Sequence, residues 1–152
     1  MPDGLSGDLD DRRAIDALVR AFFAVFDNRR GRRPRLGALH ELCLPECVIT
    51  KSDLSGLTVT RLEAFIAPRA ELLSGGRLVE FFEEEVSGRT DLFGRVAQRL
   101  SVYRKSGVLD GVAFSARGVK TLQFVRTADG WRISAVAWED ERAGLSIPEG
   151  LG

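Results

Sequence analysis

Lys120, Leu122 and Phe124 alternate along one apolar run, and Val136 and Trp138 alternate along the next. Neighbouring strands would therefore turn an ammonium group, an indole and aliphatic side chains toward one side. Such a wall suits a carboxylate or another anion, with desolvation lowering the lysine pKa; alternatively the lysine snorkels to a rim, or a slip of one residue reverses the face. The apolar members either line a cavity or pack directly on helices. Gln98, between Val96 and Leu100, is either a polar reader in that wall or a satisfied buried amide.

Other groups carry weaker chemical signals. In Glu80–Glu85 the carboxylates of Glu83 and Glu85 share the face of Phe81. A buried member with a raised pKa would serve as a general acid or base, whereas the same charges on a strand edge discourage unwanted pairing. His40 and Cys43 sit three apart, the spacing of a thiol–imidazole pair, but no third group is identifiable to orient the imidazole. Cys43 and Cys47 form half of a metal site at most. With one histidine and no second cysteine pair the ligand set does not close, so both read as buried thiols and neither metal nor cofactor is expected. Five arginines between Arg29 and Arg35 could hold phosphates; lacking interleaved aromatics, the segment reads better as a solvated loop.

The elements that must position these residues follow from periodicity. Ile15, Leu18, Val19, Phe22, Val25 and Phe26 make an apolar stripe on a first helix from about Asp8 to Asn28, with fraying expected before it. Leu36, Leu39 and Cys43 predict a second helix stopped by Pro45, and Cys47 to Lys51 a short strand. Thr60-Arg61-Leu62-Glu63 matches a capping box, opening a third helix that kinks at Pro68 and ends at Gly75-Gly76. Antiparallel strands then cover about Leu78 to Ser87, Phe93 to Arg104, Val112 to Arg126 and Trp131 to Asp140. The last two join through Thr127-Ala128-Asp129-Gly130, where glycine supplies the positive φ of a tight hairpin. Neither strand face is cleanly polar, so both should be covered: one by helices, the other by a second copy docked on a face bearing Thr121, Gln123, Ile133 and Ala135.

Composition bounds the rest. With 152 residues, 44% of them hydrophobic, the chain is expected to form one domain with an ordered core over about 10–141 and short tails. Twenty-two basic residues balance twenty-two acidic ones, against a protein built around nucleic acid. The longest apolar run, Ala21 to Phe26, falls short of the roughly 18 residues of a membrane span, and the first residues are acidic and Gly-rich; neither a membrane helix nor a secretory signal is expected. Two cysteines in such a chain point to a reducing compartment, the cytoplasm.

Helix, helix, short strand, kinked helix and a four-strand meander ending in GWRISAVAW resembles the nuclear transport factor 2-like superfamily, in its SnoaL-like branch of small bacterial cavity proteins, over about Asp10 to Glu141. The resemblance implies an α+β cone: a curved antiparallel sheet and three N-terminal helices enclosing a pocket. It implies a small-molecule-binding protein, enzymatic or not, for a partly apolar or anionic metabolite; the competing reading is a dimerisation module with a filled pocket. Fold does not choose between these. The ketosteroid isomerase type within that superfamily places a tyrosine and two aspartates where element order here gives Phe22, Lys51 and Lys120. Base and oxyanion donors are thus absent, and proton abstraction beside a carbonyl is not expected. Lys51 and Lys120 would instead share the pocket with Phe22 and Trp138, and Lys120→Met is expected to weaken anion binding at little cost in stability.

Overall fold

The fold begins with helix α1 (Asp3–Ala24), whose stripe Ile15, Leu18, Val19, Phe22 and Phe23 is buried against the sheet. A computed structural model describes residues 3–152; α1 starts five residues earlier than expected and ends before Val25, and what precedes it lies outside the described residues. The predicted second helix shrinks to a 3-10 turn (Leu36–Ala38) and one turn of α2 (Leu39–Leu42). Pro45 does not stop it. Proline falls instead inside strand β1 (Cys43–Asp53), where β1 breaks register with its neighbour between Cys43 and Val48 and a missing N–H is tolerated.

Strand β2 (Gly56–Arg61) was not foreseen, and it replaces the capping box. Arg61 precedes helix α3 (Leu62–Ser74) without a side-chain cap, and the Thr60 hydroxyl contacts the Ile49 carbonyl across the hairpin at 3.4 Å. Helix α3 contains Pro68 and ends at Gly75. The meander follows: β3 (Leu78–Phe93), β4 (Val96–Leu109), β5 (Val112–Thr127) and β6 (Gly130–Asp140), each antiparallel to the next. Each runs further than the periodicity predicted at one end, while β4 starts at Val96 rather than at Phe93, which closes β3; no helix lies between Phe93 and Arg104.

The six strands lie in the order β2-β1-β6-β5-β4-β3 in one curved sheet that does not close into a barrel. It is mixed rather than wholly antiparallel, because β1 runs parallel to β6. Three irregularities decide which side chains face the helices. In β3, Glu80 adopts φ 52° where the register slips between Val79 and Phe82, and a second slip beside Val86 turns Ser87 outward although Glu85 faces inward. In β6, Phe124 pairs with Ile133 and Gln123 with Ala135, leaving Ser134 as an extra residue. That bulge puts Ile133 (0% exposed) and Trp131 on the core side with Val136, so Ile133 does not belong to the outer face on which alternation placed it.

Asn28, just after α1, ties three elements together. Its amide donates to the carbonyls of Leu73 (2.8 Å) and Leu78 (2.7 Å), and its oxygen accepts from the Phe81 N–H (2.7 Å). The chain beyond Glu141 folds back as well: Ile147 N–H donates to Glu141 Oε2 at 2.9 Å, and a Cβ placed on Gly152 would lie 3.3 Å from Val102 on the outer face.

Candidate functional site

One cross-strand row organises the interior. Lys51 on β1 pairs with Trp138 on β6, Trp138 with Lys120 on β5, and Lys120 with Ser101 on β4, so sheet register sets two lysines either side of an indole. Helices α1 and α3 cover this row with Phe22, Phe65 and Arg69; Phe26, just after α1, joins them, β3 adds Phe81 and Glu83, and β5 adds Phe114. They enclose a cavity of about 270 Å³. A second hollow of about 310 Å³ shares Lys51, Phe65, Arg69 and Trp138 with it and reaches Thr58, Thr60 and Pro68.

Lys120 is 4% exposed. Its Nζ lies 2.7 Å from Glu83 Oε1 and within 4.7–5.3 Å of the ring centroids of Phe23, Tyr103, Phe22 and Trp138. Burial lowers its pKa, and the charge and hydrogen bond of Glu83 oppose that. The ammonium is therefore balanced within the protein, by one carboxylate and four π faces. The expectation that Lys120→Met comes at little cost in stability does not fit this pairing: the substitution strands the Glu83 carboxylate in the interior.

The remaining cations divide into paired and unpaired. Lys105 Nζ is 2.9 Å from Asp140, which also accepts a hydrogen bond from the Tyr103 hydroxyl. Gly118 makes that last contact feasible, because a Cβ there would lie 2.2 Å from the phenol oxygen. Burial pushes the Tyr103 pKa up, with the neighbouring Asp140 adding to it. Lys51 stands at the mouth, its side chain 46% exposed and 3.7 Å from Asp53. Arg69 forms no ion pair with any described residue; it lies 5.0 Å from the Phe65 ring centroid and 5.9 Å from that of Trp138, and burial holds its pKa below the usual guanidinium value.

Of the residues singled out in the sequence, Phe22, Lys51, Lys120 and Trp138 meet around the cavity. Leu122, Phe124 and Val136 face the same way but are filled core, 0, 1 and 2% exposed, and do not line it. Gln98 pairs with Gln123 on the outer face, donates to Asp91 at 3.2 Å and borders a separate shallow hollow of about 400 Å³. Glu83 and Glu85 both point inward rather than decorating an edge. Glu85 binds Arg99 and Ser101, and although burial raises its pKa those bonds bring it below the ordinary value. His40 reaches out to Glu63 at 3.3 Å while Cys43 is buried, so no thiol–imidazole pair forms. Both cysteines are free and buried. In the arginine loop, Asp27 holds Arg29 and Arg32, and the Arg29 guanidinium stacks 4.0 Å from the Phe82 centroid. Among the described residues, no group of three or more histidine, cysteine, aspartate or glutamate side chains is placed to hold a metal.

Arg69 was missed by the sequence reading, and one signal could have found it. Phe65 is an apolar residue on the buried face of α3, and Arg69 lies one helical turn further along the same face.

No protein-family model matches the sequence, and no curated protein does either. Solved structures do. The chain is similar to a nuclear transport factor 2 (NTF2-like) superfamily protein from Salmonella enterica serovar Typhimurium, with a TM-score of 0.74 at 12% identity over 95% of this chain and 99% of that one. It is also similar to the Kfla4162 protein of Kribbella flavida, with a TM-score of 0.70 at 19% identity over 91% and 97%. An NTF2-like protein with a cystatin-like fold from Novosphingobium aromaticivorans gives 0.69 at 18% identity over 90% and 85%. The chain has the NTF2-like fold, and likeness at these identities extends to the fold alone.

Proposed function

We propose that this protein binds a small, partly apolar molecule in the cavity between its helices and the concave side of its sheet. The observation that carries the reading is the cavity itself: aromatic rings from α1, α3, β3 and β5 wall a space of about 270 Å³ into which polar groups converge. That volume sits just under the roughly 300–1,000 Å³ of drug-sized pockets, which favours a ligand of one or two rings. Both carboxylates at the cavity, Glu83 and Asp140, already hold lysines, so neither is a free general base and the reading is one of binding. Calorimetric titration with benzamide, cinnamamide and naphthamide tests it. Saturable binding of at least one, lost when Ala116→Leu fills the cavity, supports the reading; no saturable binding of any refutes it.

A second copy of the chain as partner draws support from the outer sheet face. Thr121, Gln123 and Ala137 are exposed there, Val48, Thr50 and Ala135 are half-buried, and Leu57 and Val59 extend the apolar surface across β2 at 71% and 61% exposure. The C-terminal residues already cover Val102, which leaves the β1, β2 and β6 side for the partner. Two free thiols suit a reducing compartment such as the cytoplasm, and no helix among the described residues is long and apolar enough to cross a membrane.

A further inference from the structure

We infer that the ligand is a carboxylate, and that Arg69 of α3 is its anchor. This rests on the binding reading above and sharpens it. Four cations line the cavity, Lys51, Arg69, Lys105 and Lys120, against two carboxylates, Glu83 and Asp140. The site thus holds an excess of two positive charges in a chain whose total is zero. Three of the four have a partner: Lys120 has Glu83 at 2.7 Å, Lys105 has Asp140 at 2.9 Å, and Lys51 has Asp53 at 3.7 Å just outside the cavity. Arg69 has none among the described residues.

The position of Arg69 is specific to binding. Its guanidinium is flanked by the Phe65 and Trp138 rings and stands where the two hollows meet, lining both. A cation drawn partly out of water without an ion-pair partner is unfavourable; the charge of Glu83, which is committed to Lys120, opposes that cost without cancelling it, and an incoming anion removes the remainder. A planar fork of N–H donors matches a planar carboxylate in two parallel hydrogen bonds, which an ammonium cannot reproduce. The rings of Phe22, Phe26, Phe65 and Phe81 then take an apolar body. The ligand class is an aryl or short alkyl carboxylate, a monoanion with one hydrophobic end. Lys120 is excluded as the anchor because Glu83 occupies it, which moves the anion site from the sheet floor to the helix wall.

Matched pairs test this: benzoate, cinnamate and naphthoate, each against its primary amide, titrated into the full chain by calorimetry. The expected result is that the acid binds at least about tenfold tighter than its amide, the worth of one charge-assisted hydrogen bond. In Arg69→Met that ratio falls to about one, and in Arg69→Lys it keeps an intermediate value; unchanged melting curves certify that both variants are folded. Amides that bind as well as acids overturn the inference while leaving the cavity reading intact. A ratio that survives Arg69→Met but collapses in Lys51→Met overturns it too, because the anchor is then at the mouth. If no member of any pair binds, the cavity reading and this inference fall together.

Discussion

At the level of single residues, the Lys120–Glu83 pair is the most consequential contact in the cavity. Its side chains are 5% and 9% exposed, so water does little to screen either charge. Removing one partner of a buried pair costs roughly 3–5 kcal/mol, because the other is left desolvated and alone. Lys120→Met should therefore lower unfolding stability by about that amount, measured by urea denaturation, and Lys120→Met with Glu83→Gln should recover a substantial part. A Lys120→Met protein as stable as the parent would mean that Glu83 reaches water. Parity along β5 was enough to find Lys120, Leu122 and Phe124 on one face, since the extra residue at this register shift, Ser134, lies on β6 and leaves the alternation of β5 unbroken. Parity could not say that Glu83 would meet the lysine. The two residues lie on strands separated by β4, and the bulge at Glu80 sets which way Glu83 points.

At the level of elements, the joint between α1, α3 and β3 depends on one amide. Asn28 is 7% exposed and bonds to Leu73, Leu78 and Phe81, so it fixes the end of one helix, the end of another and the bulged start of a strand. Asn28→Ala leaves a buried N–H and two carbonyls short of partners and should cost roughly 2–3 kcal/mol in the same denaturation assay. A loss under about 0.5 kcal/mol would show that water replaces the side chain there. Helix and strand identities were legible where the period was long and unbroken: α1, α3 and the meander. What escaped was set by tertiary contacts. The second helix shortened because Cys43 is drawn into β1 beside Ile133 of β6, and β2 formed because Thr58 and Val59 pair with β1, where local sequence had offered a cap.

At the level of the whole molecule, the outer sheet face tests the proposed dimer. A charge at its centre should be tolerated by the fold and not by a partner, since Ala137 is exposed and lies away from the core. Sedimentation at micromolar concentration is expected to show a dimer for the parent and a monomer for Ala137→Glu; a monomeric parent would refute the pairing. The order of elements and the final hairpin made the fold readable; the positions that the resemblance singled out, Phe22 on α1, Lys51 on β1 and Lys120 on β5, border one cavity, and whether a ligand occupies it is the proposal. Gln98 went to the wrong side because its parity with Val96 and Leu100 was read without knowing which face of β4 meets the helices.

A small molecule seated between α3 and the row Lys51–Trp138–Lys120, as proposed, would be read by nuclear Overhauser contacts to the bound ligand. With cinnamamide or cinnamate at saturation, ring protons of the ligand should give contacts to the Trp138 indole and to the Phe65 and Phe22 rings, which line the cavity together. Contacts confined to outer-face residues such as Thr121, Gln123 or Val59, or none to any of the three cavity rings, would contradict the account.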